Sequence, residues 1–334
     1  MVIAMTKFIT AATISLGLIQ AVSAVCTNPT QRKPWTMLSS SEKAEYINST
    51  LCLMDPTQAP SKTHYAGAKT RWDELQVAHI AQVQFIHGVG AFLPWHRWFM
   101  TVHENLLRQE CGYNGPLPYW NEQEDQATGP LTAASIWGDD PTTSFGTGLT
   151  HNNGCVADGP FTNLRYDVNI QLERGTEKCL TYDLKQAQFE LVSQDIVDAC
   201  NSLEGYNDFN NCLGGSPHTS GHYAIGGTMD DVSLSPADPL FFMHHTNLDR
   251  LWWEWQSKNT SRLTDMGGRN VAVGTLLVEA QPKSLPVAAF APYFGYSGNV
   301  TSLDHIMWMA GTAENITIGE VMDIKSEAIC VEYL

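Results

Sequence analysis

Neutral imidazole is the commonest side-chain ligand for transition metals, and 11 of the 334 residues are histidine. Six of them have spacings that suit two metal sites of three. His218 and His222 are four residues apart, so on a helix they share a face about 6 Å apart along the axis, as two ligands of one ion would. His245, on the next helical segment, can complete that trio. His79 and His87 are eight apart, which on an unbroken helix separates them by about 12 Å along the axis, too far for one ion. Gly88 and Gly90 resolve this: the helix can end near Ile86, letting His87 fold back toward His79, with His96 presented just after Pro94.

A single interior histidine is more often a hydrogen-bonded core residue than a ligand, but two trios with Phe and Trp close by in sequence are hard to obtain by chance. His64, His103, His151 and His305 lack such company and read as structural or surface residues. Spacing does not choose between His245 and its neighbour His244. Imidazole trios without Cys, Asp or Glu suit copper or zinc better than magnesium or calcium. A zinc site would activate water and need a carboxylate base nearby. A copper pair would bind dioxygen instead. Spacing leaves both open, and an aromatic surround with secretion leans toward copper.

The elements that must position these residues are mostly helical. Apolar residues recur at helical spacing over 40–53 and 69–85; 95–108, 187–203 and 242–257 read as further helices, with a short helix beginning at Pro217 for His218 and His222. The stretch 121–185 is rich in Gly, Thr, Asn and Asp and reads as an irregular excursion pinned by Cys155 and Cys179. Val271 to Glu279 reads as a strand. Trp95, Trp98, Trp252 and Trp253 are expected to pack the helices that carry the histidines.

Composition bounds the rest. With 43% hydrophobic and 16% charged residues the chain is globular, which excludes disordered and collagen-like classes. A formal charge of −16 argues against nucleic acid or an anionic membrane as partner. Residues 1–24 read as a secretory signal: Lys7, then the mostly apolar Phe8 to Val22, then Val22-Ser23-Ala24 before a cut. The expected mature chain is one domain over 25–334, extracellular and free of the membrane. Sequons at Asn48, Asn259, Asn299 and Asn315 and an even count of 8 cysteines without a Cys-x-x-Cys pair fit a secreted, disulfide-bonded glycoprotein.

Two stretches resemble a known family. His87-Gly-Val-Gly-Ala-Phe92-Leu-Pro-Trp-His96-Arg97, ending at Glu104, is similar to the copper A signature of tyrosinases and catechol oxidases. Asp238-Pro239-Leu-Phe241-Phe-Met-His244-His245-Thr-Asn-Leu-Asp249-Arg250 is similar to their copper B signature. The likeness runs from about Lys69 to Trp255 and points to the short fungal forms. It implies a four-helix bundle holding two copper ions, with long loops and a few short strands. His79, His87 and His96 would bind copper A, with His64 as an alternative first ligand; His218, His222 and His245 would bind copper B, which sets His244 aside. Phe241 matches a ring that packs on a copper B imidazole. Asp249 would orient its helix or a ligand imidazole, with Arg250 as partner, against the plainer reading of a helix-surface ion pair.

The implied reaction oxidises o-diphenols to o-quinones with O2 reduced to water; some relatives also hydroxylate monophenols. The other classes left open are a tyrosinase-type monooxygenase acting on phenols, o-aminophenols or peptide tyrosine in a biosynthetic pathway, a haemocyanin-like O2 binder, and a zinc hydrolase. Glu204 resembles the carboxylate that holds a water for phenol deprotonation, although it lies further before His218 than in bacterial relatives. Thr219 stands where an Asn often helps hold that water, and Val232 stands at a gate that is a bulky Phe in plant catechol oxidases. Phe85 replaces a cysteine that some relatives bond to a copper A histidine, so no thioether is expected. The residues after Ser257 are too few for the large shielding domain of latent members, so the enzyme is expected to be active without its removal.

Overall fold

Helix α1 (Ser40–Leu53) begins where the sequence carries a capping box: Ser39 Oγ accepts from the Glu42 N–H, and the Glu42 carboxylate accepts from the Ser39 N–H at 2.8 Å. It belongs to a computed structural model that describes residues 26–295 and 299–334. The expected leader and its cleavage point lie outside the described residues. Thr70 and Asp73 make a second capping box for α2 (Arg71–Ile80). That helix ends earlier than the apolar spacing over 69–85 suggests. The Gln82 amide turns back and donates to the carbonyls of Ala78 at 2.8 Å and Trp308 at 2.7 Å, and a separate turn, α3 (Val83–Ile86), follows. His87 is then extended, with φ −126°.

Helix α4 (Phe92–Cys111) starts before Pro94, which occupies its first turn, where no backbone N–H is needed. It stops at Gly112, whose φ of 69° is the left-handed conformation of a helix C-terminus. A short strand, β2 (Leu117–Tyr119), and α5 (Glu122–Thr128) lead into the excursion. There the antiparallel pair β3 (Arg165–Val168) and β4 (Arg174–Cys179) lies next to the Cys155–Cys179 disulfide, as expected from the sequence. The helix expected over 187–203 is broken into α6 (Gln186–Phe189), a tight turn, and α7 (Gln194–Asn201), because Ser193 is extended, with ψ 156°. Helix α8 (Tyr206–Leu213) runs without interruption through a wide π turn, Gly214–Thr219, into α9 (Ser220–Ile225). Pro217 therefore lies inside a continuous helical segment and does not begin one.

Helix α10 (Leu240–Ser257) follows, its first N–H held by Asp238 Oδ1 at 2.9 Å. After it come α11 (Thr275–Ala280), α12 (Val287–Phe290), the small hairpin β5 (Ile306–Met307) and β6 (Ile316–Thr317), and α13 (Ile318–Val321). The strand expected over 271–279 is thus replaced by α11. Strand β1 (Thr30–Pro34) is central in a parallel sheet of order β2-β1-β7, where β7 is Val331–Tyr333.

The fold is mainly helical, with α2, α4, the α8–α9 segment and α10 forming the four-helix bundle around the histidines. Trp95 and Trp252 are buried in its core, while Trp98 and Trp253 are half-buried against it. Four disulfides, Cys26–Cys330, Cys52–Cys111, Cys155–Cys179 and Cys200–Cys212, use every cysteine. Among the described residues no helix is long and apolar enough to cross a membrane. All four sequon asparagines are exposed.

Candidate metal centre

The helices bring the histidines into two groups. His79 from α2, His87 from the loop after α3 and His96 from α4 have ring nitrogens within 4.8 Å of one another, and so do His218, His222, His244 and His245. The fold-back of His87 is realised, with its ring centroid 4.9 Å from that of His79. His64 is exposed and stacks on Tyr65, away from both groups.

Backbone carbonyls fix the rings. Nδ1 of His79 lies 3.2 Å from Ser233 O, that of His87 3.0 Å from Val83 O, and that of His96 2.8 Å from Phe92 O. Nδ1 of His218 lies 3.2 Å from Gly214 O and that of His222 2.8 Å from Met229 O. A carbonyl accepts only, so each Nδ1 carries the proton and each Nε2 keeps its lone pair. The buried Nε2 atoms of His79, His96 and His218 meet no hydrogen-bond partner, which is the state of a ligand atom awaiting a cation. Nε2 of His222 and Nε2 of His245 are 3.2 Å apart. Two nitrogens bound to one ion at about 2.0 Å and a near-tetrahedral angle stand about 3.3 Å apart, so that spacing fits a shared metal.

Burial keeps these imidazoles neutral. It pushes His87 down to about 4, and burial with the neighbouring imidazoles lowers His79, His96, His218 and His245 well below the usual histidine value. His222 is lowered likewise. Neutral nitrogen is what a metal requires. Phe241 packs its ring 4.1 Å from that of His245 and 5.3 Å from that of His79, and Phe92 lies 4.6 Å from His218 and 4.9 Å from His96. The two rings pack against members of both groups.

His244 sits inside the second group. Its Nδ1 pairs with the carboxylate of Glu122, which is fully buried, and its ring rests on Gly221, where a Cβ would come within 2.3 Å of it. The sequence gives no sign of this pair, because Glu122 is 122 positions away on α5.

Asp249 ties down its helix as expected, but through other partners. It touches no imidazole and does not pair with Arg250, which instead bonds Asn247, Gln123 and Glu254. Asp249 is buried and accepts from Arg97 Nε on α4, from Arg32 Nη1 at 2.9 Å and from the Tyr333 hydroxyl. Arg97 follows His96 directly in sequence, so this cluster locks the two histidine-bearing helices together. Glu204 also departs from expectation: it is exposed just before α8 and is not among the residues lining the cavity. The chain there turns toward Asp265, which accepts from the Tyr206 N–H at 2.8 Å, and this carries Glu204 to the outside.

A cavity of about 420 Å³ opens onto the edges of His87, His218 and His222, with Thr219 and Val232 among its lining residues. The Thr219 hydroxyl donates to Gly214 O at 3.1 Å. Phe85 stacks on Phe290 with ring centroids 4.0 Å apart.

Residues 69–258 match the family model described as the common central domain of tyrosinase. The chain belongs to the tyrosinase family. This tyrosinase-family chain is 32% identical to a tyrosinase-like protein of Diaporthe leptostromiformis, phomQ1', over 92% of its own length and 80% of the relative's. It is 28% identical to the N-acetyl-6-hydroxytryptophan oxidase of Emericella nidulans over 92% of both chains. Among solved structures it resembles a polyphenol oxidase from Thermothelomyces thermophila, with a TM-score of 0.73, 25% identity, and coverage of 92% of this chain and 89% of the other. Latent apple tyrosinase, at 15% identity and a TM-score of 0.53, shares the fold. Site and relatives together support an oxidoreductase.

Proposed function

We propose that this tyrosinase-family chain is a secreted dicopper phenol oxidase, a single catalytic domain over residues 25–334, that oxidises o-diphenols to o-quinones. The observation that carries the reading is the set of buried, neutral imidazoles, five of them fixed through Nδ1 by backbone carbonyls, that converge in two groups beside a cavity of about 420 Å³. His79, His87 and His96 would hold one copper ion, and His218, His222 and His245 the other. Bound there, the copper pair supplies redox chemistry between dioxygen and a phenol. Two o-diphenols each give up two electrons and two protons, and one O2 takes up all four of each to become two waters.

The protein's own part is local. Carbonyl contacts at Nδ1 keep five of the six ligand rings oriented, Phe241 packs on the ring of His245, and the cavity admits a phenol ring at the His87, His218 and His222 edges. Val232, among the lining residues, is smaller than the Phe of plant catechol oxidases. Glu204, exposed, is given no role in handling the phenolic proton. The oxidase named for N-acetyl-6-hydroxytryptophan supports a second reading, in which a larger phenol of a biosynthetic route is the substrate.

The test is oxygen uptake by copper-loaded protein on a catechol, the matching monophenol and an o-aminophenol. Rapid uptake with the catechol is expected. Protein that holds two copper ions and oxidises no catechol would defeat the proposal, and oxygen binding without turnover would leave a haemocyanin-like carrier. Zinc and no copper in active protein would favour a hydrolase.

A further inference from the structure

We propose that Leu276 and Leu277 of α11 form a specificity wall that selects phenols bearing an apolar substituent over phenols bearing a carboxylate. The inference rests on the phenol-oxidase reading. Both leucines line the cavity, as do His87, His218 and His222. Leu277 Cδ1 packs against the backbone of Gly88, 3.5 Å from where a Cβ there would stand, and so lies beside His87. Leu276 is 61% exposed, so the apolar lining reaches from the cavity to solvent at its mouth. An isolated exposed apolar side chain needs no explanation, but one that lines a ligand cavity does.

This wall is fastened. The Ala272 N–H donates to Gln84 O at 2.9 Å, and the Gln84 side-chain amide donates back to Ala272 O at 2.8 Å. At the other end Gln281 Oε1 accepts from the Gln84 N–H at 3.1 Å, and its Nε2 donates to Ala81 O at 2.7 Å. Both ends of α11 are therefore latched to the α2–α3 connection that delivers His87. The leucines hold a fixed position relative to the ring of a bound phenol.

Charge points the same way. Among the described residues no Lys or Arg lines the cavity, and the one charged residue that does is Asp230. Its carboxylate lies 3.4 Å from Lys185 Nζ, which also serves Asp183 at 3.3 Å, so no cation is left for an incoming anion. A carboxylate substituent would be desolvated against leucine and repelled by Asp230, whereas an alkyl group would bury apolar surface.

The experiment uses copper-loaded full-length protein with 4-butylcatechol and dihydrocaffeate, whose alkyl spacers leave the two rings electronically alike. The expected kcat/KM is at least about ten-fold higher for butylcatechol, carried by KM, and Leu276→Ser should erase most of that ratio. A turnover-free arm measures binding of 4-butylphenol and 3-(4-hydroxyphenyl)propionate by equilibrium dialysis without oxygen. Tighter butylphenol binding that is lost in L276S supports the wall even if neither catechol is oxidised, in which case it is the oxidase reading that fails. Oxidation of both catechols with equal efficiency, or a ratio unchanged in L276S, overturns the wall and leaves the oxidase reading intact.

Discussion

His244 and His245 are adjacent on one helix yet differ in what holds them, and the proposed dicopper reading gives them different roles. His245 has its Nε2 beside that of His222, whereas His244 is tied through Nδ1 to a buried carboxylate. We expect His245→Ala to lower the copper content from two ions per chain to about one, as read by metal analysis. His244→Ala should keep the second ion with affinity weakened about 10–100-fold, the usual cost of losing a group that orients a ligand. Gly221→Ala should mimic His244→Ala, because the added methyl occupies the place of that ring. His103 supplies a test of pH behaviour away from the metal groups. It is fully buried, both ring nitrogens lack partners, its ring stacks on Phe242, and burial pushes its pKa down to about 3. A histidine depressed in the fold takes up its proton in the unfolded chain first. Its contribution is therefore present above about pH 6.5 and is lost as pH falls toward 3, at up to about 1.4 kcal/mol per pH unit. His103→Leu should flatten that part of the acid limb in urea titrations; an unchanged slope would contradict the assignment.

Elements whose limits are coded locally were legible in the sequence. The α1 limits match the apolar spacing because Ser39 and Glu42 form the cap within four residues. The gathering of the histidines into two groups was legible because each group comes from a short span of chain, residues 79–96 and residues 218–245. What escaped depends on partners remote in sequence. The stretch 271–279, rich in β-branched residues, has a strand-like composition, yet it is made helical by latches to Gln84 and Ala81, which lie nearly 200 positions away. Asp249 could be placed one helical turn beyond His245, but its partners Arg97 and Arg32, 152 and 217 positions away, were invisible. Removing that carboxylate leaves the buried Arg97 guanidinium without its ion-pair partner, while Arg32 keeps Glu104 at 3.2 Å. Asp249→Ala is expected to cost about 3–5 kcal/mol in denaturant unfolding, whereas Arg250→Ala, whose pairing with Glu254 is partly exposed, should cost less than about 1 kcal/mol.

On the scale of the whole molecule, the sheet β2-β1-β7 and the Cys26–Cys330 disulfide join segments 304 positions apart. Replacing both cysteines by serine should lower stability by about 2–5 kcal/mol, visible as a drop in Tm, with the copper content at low temperature unchanged. Distance along the chain also imposes an order in time. Residues 79–96 and 218–245 can each close on themselves through short loops, whereas the contact that sets one group opposite the other, Arg97 to Asp249, spans 152 positions. Short closures precede long ones during folding. Each histidine trio should therefore exist as a separate single-ion trap before the pair exists, so metal arriving early meets two independent half-centres, and coupling between them is the last property the folding chain acquires.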